Sequence, residues 1–328
     1  MKLALSFLRL LPPEISHFIA LHALKFLYKA NLISLLFPYD NSLESFQFKG
    51  LTFRNRLGIA AGLDKNGDFF DALGALGFGF IEVGTITPKP QSGNPKPRVF
   101  RFSDQEAIVN RLGFNNKGVD YLVKRLNGRK YDGVLGINIG ANKDSIGQKM
   151  VNDYIECFQK VSAYADYITV NISSPNTPGL RSLHSKENFF PLFKAINHIR
   201  EKKKFFNPIF IKLSPDEHKD VISEITKAIK EFNFDGVITS NTTIEKSNLI
   251  FQSKADLSGG LSGKPLLEKS NELLSLVHSR EPELLKIGVG GVHNKESFNM
   301  KLEKGASLVQ IYTSFIYDGP KIIKKLLN

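Results

Sequence analysis

From residue 57 onward, short runs of almost unbroken apolar, β-type residues alternate with longer stretches in which apolar residues recur every three or four positions. The runs are LGIAAG (57–62), FIEVGT (80–85), GVLGINIG (133–140), YITVNIS (167–173), IFIKLS (209–214), GVITSN (236–241), KIGVGG (286–291) and LVQIYT (308–313), eight in all. Helical spacing follows them, for example over 69–76, 151–164, 221–232 and 266–277. Near-continuous apolar runs suit strands buried on both faces, which is the condition of a parallel sheet. Eight strand–helix units in about 270 residues predict an α/β fold of the (β/α)8 barrel type, with an open doubly wound sheet as the alternative. Ahead of them, FQF-KG-LTF (46–53) reads as a hairpin closing the bottom of the barrel. Two connections exceed plain loops: 86–115, with the stretch PKPQSGNPKP and then a small hairpin (VFRF, AIVN), and 174–187. Long connections in a compact domain are usually functional.

Residues 1–38 follow a different pattern, with four Lys/Arg and one Glu in an otherwise apolar segment. Its uncharged runs, 15–24 and 30–39, are ten residues each, against the roughly 20 that a membrane-spanning helix needs. Arg9 interrupts the one stretch that resembles a signal-peptide core, and the segment lacks the Arg/Ser richness of a transit peptide. Pro12 and Pro13 should separate two short helices. In the second, Ile15, Phe18, Ile19, Ala23, Phe26, Leu27 and Ala30 form one apolar stripe, and Leu21, Leu24 and Tyr28 a second. Two readings stand: an interfacial helical hairpin lying on a membrane, or a cap packed on the barrel. The division is therefore a hairpin over 1–40 and a barrel over 41–328.

The 328 residues carry 44 basic and 32 acidic side chains, a net charge of +12, with 42% hydrophobic and 23% charged residues. That excludes disorder, collagen and coiled coil, and is compatible with nucleic acid, an anionic membrane or small anionic ligands. One cysteine, Cys157, excludes a disulfide framework, a thiolate zinc site and an iron–sulfur cluster held by this chain alone. Histidines at 17, 22, 184, 198, 218, 278 and 293 show no metal-ligand spacing, so no metal site is expected.

Barrel sites lie at the C-terminal ends of the strands. Polar residues recur there: Asp64-Lys65-Asn66, Thr85, Asn138, Asn171 and Ser174, Lys212, Ser240-Asn241-Thr242, and Tyr312-Thr313. Turn chemistry accounts for any one of them. Lysines ending buried strands are harder to dismiss, because an unpaired buried ammonium is costly. Gly288, Gly290 and Gly291 ending the seventh run, with Tyr312-Thr313 ending the eighth, suit a phosphate cradled by backbone N–H groups. No strand-GxGxxG-helix unit indicates a nicotinamide dinucleotide domain.

The runs AAGLDKNG (60–67), IEVGTITPKPQSGNPKPR (81–98), NRLGFNN (110–116), GINIG (136–140), NISSPNTPGLR (171–181), SNTT (240–243), GGLSGKPL (259–266) and GVGG (288–291) resemble dihydroorotate dehydrogenases across essentially the whole chain. Serine at 174, where class 1 relatives usually carry cysteine, and the N-terminal extension resemble the quinone-dependent class 2 branch. The resemblance implies oxidation of dihydroorotate to orotate on FMN in pyrimidine synthesis, with electrons passing to a membrane quinone. Ser174 is the implied base. The implied substrate contacts are Lys65, Asn110, Asn115, Asn171, Asn176, Asn241 and Thr242, with the backbone of Arg111, Leu112, Gly113 and Phe114 in the same implied segment and Thr177 as a helper of the base. Amides suit a planar anion with amide edges, since they offer donors and acceptors together. The implied FMN contacts are Ala61, Gly62, Leu63, Asp64, Lys65, Thr85, Asn138, Asn171, Lys212, Ser240, Gly263, Gly291, Tyr312 and Thr313, with Lys212 near the edge that gains negative charge.

His17 and Arg101 are implied to line the quinone tunnel, although Arg101 next to Asp104 also suits a simple ion pair. Ser314 departs from relatives that often carry Gly or Ala there. The resemblance further implies a monomer, peripheral on the cytoplasmic side of a bacterial inner membrane, with no nucleic-acid partner. A related flavin barrel, tRNA dihydrouridine synthase, would suit the charge but relies on an active-site-loop cysteine, and Cys157 stands elsewhere.

Overall fold

The structure, a computed structural model, describes residues 2–39, 44–174, 185–247, 249–250 and 257–328. The chain opens with helices α1 (Lys2–Leu10), α2 (Pro13–Lys29) and α3 (Ile33–Leu36). A hairpin, β1 (Phe46–Phe48) and β2 (Leu51–Phe53), precedes β3 (Leu57–Ile59), α4 (Phe70–Gly74) and β4 (Phe80–Ile86). An excursion, β5 (Val99–Phe102) and β6 (Ala107–Asn110), leads to α5 (Val119–Leu126). The alternation resumes with β7 (Val134–Ile139), α6 (Gln148–Val161), β8 (Tyr167–Asn171), α7 (Lys186–Lys202), β9 (Ile209–Leu213), α8 (Lys219–Glu231) and β10 (Gly236–Thr239). After β11 (Gly260–Gly263) come α9 (Leu267–Arg280), β12 (Leu285–Val289), α10 (Lys295–Glu303), β13 (Leu308–Ile311), α11 (Thr313–Asp318) and α12 (Lys321–Leu327).

Among the described residues eight parallel strands close in the order β3-β4-β7-β8-β9-β10-β12-β13, with β13 returning to β3. These are the eight apolar runs, so the closed barrel and not the open sheet is the fold. Large and small side chains alternate around its lower layer. Phe80 and Tyr167 fill the axis because Gly58 and Gly136 face them, and a Cβ at Gly136 would lie 2.0 Å from the Tyr167 ring. Phe53, from the hairpin, closes the bottom edge-on to Phe80 at 5.4 Å between ring centres. Outside, Asp235 ties three elements together: it accepts from Lys49 at the hairpin turn, from Arg200 at 3.1 Å and from Ile209 N at 2.8 Å.

The small hairpin expected in the first long connection is β5–β6, and a third strand joins it: β11 pairs antiparallel with β6, Gly263 opposite Ala107 and Gly260 opposite Asn110. That pairing joins segments 150 residues apart, which local patterning does not register.

The two apolar stripes of α2 face different ways. Leu21 and Leu24 of α2 are buried in the main core beside α4. The other stripe stays outside, with Ile15, Phe18, Ile19 and Phe26 exposed, as are Phe7, Leu10, Leu35 and Leu36. None of the described helices is long and apolar enough to cross a membrane.

Candidate active site

The polar centre of the barrel starts one layer below its mouth. Glu82 of β4 is fully buried and accepts three hydrogen bonds: from Asn138 Nδ2 at 2.8 Å, Tyr167 OH at 2.9 Å and Gln310 Nε2 at 2.8 Å. Three donors on one carboxylate are what a buried charge requires. From Asn138 the network rises through Thr85, whose Oγ1 donates to Asn138 Oδ1 at 2.6 Å, to Asn171, whose Nδ2 donates to Thr85 Oγ1 at 3.0 Å. Ser173 then bridges Asn171 and Asn241, donating to Asn171 Oδ1 at 3.1 Å and accepting from Asn241 Nδ2 at 3.1 Å. Eight side chains from five parts of the barrel are thus held in fixed rotamers beneath one cleft.

The cleft lies at the C-terminal ends of the strands and holds about 1020 Å³ of atom-free space, open mouth included. Its wall brings together most residues singled out from the sequence. Ala61, Gly62 and Lys65 come from the loop after β3, Thr85 from β4, Asn171 and Ser174 from β8 and its continuation, and Lys212 from β9. Ser240, Asn241 and Thr242 follow β10, Gly263 ends β11, Gly291 follows β12, and Tyr312 and Thr313 follow β13. Asn110, Leu112, Gly113 and Phe114 close one side. Gln91 Nε2 holds the carbonyls of Gly113 and Phe114, each at 3.1 Å, and Asn94 Nδ2 holds that of Arg111 at 2.9 Å, so the proline-rich loop shapes this wall. Gly291 is required where it stands: its φ is +80°, and a Cβ would lie 2.3 Å from Leu267 Cα.

Several expected contacts lie elsewhere. The Arg111 side chain turns outward, donating to Pro97 O at 2.9 and 3.2 Å and to Ser258 Oγ at 3.0 Å. Asn138 sits one layer below the cleft, positioning Thr85. Leu63, Asp64 and Asn115 face a second cavity. Asp64 accepts from Asp68 N at 2.9 Å and Phe69 N at 2.7 Å, and burial nonetheless pushes its carboxyl up to about 6. Asn176 and Thr177 lie outside the described residues. Glu82, Ser173 and Gln310 were not anticipated. Glu82 had a legible signal, a lone carboxylate inside a fully apolar strand, whereas Ser173 had none.

Lys212 is buried, and among the described residues its ammonium makes no hydrogen bond. Burial lowers its pKa and the Glu82 charge opposes that. Ser314, also on the cleft wall, has a buried hydroxyl with no partner among the described residues. Among the described residues, no Asp or Glu lines the cleft. A site with Lys65 and Lys212 on its wall and no acid suits a polar anion.

The second cavity is a wide, mainly apolar groove between α1–α2 and the barrel. It meets the cleft at Lys65, Leu112 and Tyr312, which line both. Arg101 does not pair with Asp104 among the described residues. It donates to Leu8 O at 3.3 Å, Arg9 O at 3.0 Å and Leu11 O, capping the negative end of α1, and to Ser16 Oγ at 3.4 Å. His17 lines the same groove; burial and the Lys65 charge push its pKa down to about 3, against a Leu63 backbone hydrogen bond. In a released or unfolded cap His17 binds a proton below about 6.5, whereas the docked form excludes it down to about 3. Cap docking should therefore weaken as pH falls through that window. Melting temperature against pH should show a wild-type acid loss that His17→Asn reduces; superimposed profiles would refute it.

Comparisons with known proteins agree with this geometry. The family described as dihydroorotate dehydrogenase matches residues 43–328. A Saccharophagus degradans protein named dihydroorotate dehydrogenase (quinone) is 46% identical over 318 residues, covering 95% of this chain and 94% of that protein. One of the same name from Pectobacterium atrosepticum is 48% identical over 284 residues, 85% of this chain and 84% of its own length. The Eimeria tenella enzyme crystallised with ferulenol superposes with a TM-score of 0.86 at 35% identity, covering 96% of this chain and 89% of the other. With the family matched over nearly the whole barrel, and relatives nearly half identical along most of their length, this chain belongs to the dihydroorotate dehydrogenase family.

Proposed function

We infer that this chain oxidises dihydroorotate to orotate, a step of pyrimidine synthesis, using FMN bound in the cleft and a quinone that approaches through the groove. The observation that carries this reading is the common wall of the two cavities at Lys65, Leu112 and Tyr312. A polar, cationic cleft and an apolar groove meeting at one boundary suit an anionic substrate and a lipophilic electron acceptor that exchange electrons without mixing. Family members work with a flavin. The unpartnered Ser314 hydroxyl, the free-standing Lys212 ammonium and the side-chain-less corner at Gly291 fit a group that is planar at one end and anionic at the other.

Ala61, Gly62, Thr85, Lys212 and Ser240 would hold the ring of FMN, and Gly263, Gly291, Tyr312 and Thr313 its phosphate side. When bound, the flavin supplies a hydride acceptor and passes two electrons onward. Lys65, Asn110, Asn171, Asn241 and Thr242 bind the substrate: the ammonium meets its carboxylate and the amides meet its ring edges. Asn171 and Asn241 arrive pre-oriented by Ser173. Ser174, buried in the cleft wall, takes the C5 proton as hydride leaves C6, while its own hydroxyl proton passes to a neighbouring acceptor. Asn138 acts through Thr85, and Arg111 contributes its backbone.

Residues 1–40 form the cap and 41–328 the catalytic barrel. The exposed apolar face of α2, flanked by Lys25 and Lys29, suits a peripheral position on an anionic membrane, the cytoplasmic side of an inner membrane in this reading. A single chain supplies every assigned group, consistent with a working monomer. The RNA-modifying alternative loses its acid: Cys157 is buried in α6, and burial raises its thiol pKa further.

The visible spectrum of the purified protein, kept anaerobic, tests both halves. Dihydroorotate should bleach the flavin bands and a soluble quinone should restore them. Bleaching without recovery would overturn the acceptor, and a flavin left oxidised by dihydroorotate would overturn the substrate. A pH profile tests Lys65, whose pKa burial and Arg98 push down to about 8. Its ammonium is charged below that pH and lost above it, so KM for dihydroorotate should rise as pH passes about 8. Lys65→Met should show a raised KM without that rise.

A further inference from the structure

Lys301 lies on α10, on the outer side of the barrel wall, and is completely buried. Its ammonium donates to Ser270 Oγ at 2.6 Å and reaches Val289 O at 3.5 Å. Burial alone lowers its pKa, to about 7, with no carboxylate acting on it. Its stem passes against Gly288, where a Cβ would lie 3.1 Å from Lys301 Cδ. An unpaired ammonium here is costly, and an apolar side chain of similar length would fill the space without that cost.

The surroundings point to what offsets it. Val289 and Gly290, at the end of β12, line the cleft on their far side. Ser270, which accepts a hydrogen bond from Lys301, has its Oγ 3.0 Å from Gly290 O, within donating distance. Lys301 thus stands directly behind the glycine corner to which the phosphate of FMN is assigned above. On the cleft side of that corner, among the described residues, Ser314 presents a buried hydroxyl without a partner and no acid lines the wall. A positive charge behind the corner and an unmet hydroxyl beside it are complementary to a dianion.

We propose that Lys301 is a positioning residue for the cofactor phosphate: through the Val289–Gly290 corner its charge favours a phosphorylated flavin over an unphosphorylated one. The proposal rests on the reading that FMN occupies the cleft. No direct contact is required, because the attraction between a charge and a dianion persists across a few ångströms of low-dielectric interior.

The test compares FMN with riboflavin, which carries the same ring without the phosphate. Full-length wild type and Lys301→Met are purified with their flavin, and flavin loss on dilution is followed by the recovery of flavin fluorescence. The proteins are then reloaded with riboflavin and measured again. Lys301→Met should lose FMN affinity by about tenfold or more and change riboflavin affinity by less than about twofold. Equal losses for both flavins would mean that Lys301 only shapes the wall, and would overturn the proposal, as would unchanged affinity for both. Lys301→Gln, neutral but still able to donate to Ser270, serves if the methionine variant does not fold, with the same expected selectivity. A wild-type chain that binds neither flavin overturns the cofactor reading, and this proposal with it, before any variant is compared.

Discussion

Ser174→Ala should leave the flavin bound and reduce dihydroorotate turnover by about 10²- to 10⁴-fold, the range that loss of a positioned general base produces. The cleft wall would otherwise survive. Asn171 and Asn241 are held by Ser173, the neighbouring hydroxyl. KM should therefore change far less than kcat, since the substrate's ring edges and carboxylate still meet the same amides and Lys65. Reoxidation by quinone, measured after chemical reduction of the flavin, should run at the wild-type rate, because it needs no proton from C5. The half-reactions separate the outcomes. Slow bleaching with normal reoxidation is expected, and bleaching at the wild-type rate would remove Ser174 from the chemistry. Ser174→Cys provides the internal control, restoring a titratable group at the same position and so some of the lost rate.

The largest stability effect is expected at Glu82. Its carboxylate accepts from Asn138, Tyr167 and Gln310 and is the charge that opposes the burial of Lys212. Glu82→Leu leaves Asn138 Nδ2 and Tyr167 OH without acceptors, Gln310 Nε2 with only its 3.3 Å bond to Tyr167 OH, and an ammonium without a counter-charge. Breaking a buried, fully bonded charged network in this way costs about 3–5 kcal/mol. Glu82→Gln keeps the shape and an accepting oxygen but turns an N–H₂ toward groups that donate, so it should cost less than the leucine change and more than a surface substitution. Denaturant midpoints at constant slope measure both. A Glu82→Leu protein as stable as wild type would show that the network under the cleft is incidental to the fold. The same variant should loosen Thr85 and Asn171, which stand on Asn138, so dihydroorotate binding should weaken along with stability.

The location of each charge explains why these two residues differ in how visible they were. Ser174 was assigned by likeness to a long motif. Without that likeness it is one serine among several in a loop. Glu82 stood in plain view as a carboxylate within FIEVGT, but its meaning depended on partners 56, 85 and 228 residues away. Lys301 belongs to the same class: it reads as an ordinary helix-surface lysine, and only the packing of α10 against α9 and β12 buries it.

Much of the architecture was determined locally. Eight buried parallel strands need apolar residues on both faces, and that requirement wrote itself into LGIAAG, FIEVGT and their successors regardless of what each strand would meet. Helical spacing after each run, the phenylalanine-rich hairpin before them and the glycine-rich ends followed from one-dimensional constraints of the same kind: side-chain periodicity, turn chemistry and burial. Two apolar stripes on α2 were legible too. Which of them faces the barrel was not, because both are apolar and the choice depends on the shape of the α4 surface that Leu21 and Leu24 meet. The third strand over the excursion, the Ser173 bridge, the outward turn of Arg111 and the wall shared by cleft and groove were likewise decided in three dimensions. Each joins residues far apart in sequence, and a hydrogen bond between distant segments leaves no mark on the local pattern of either one.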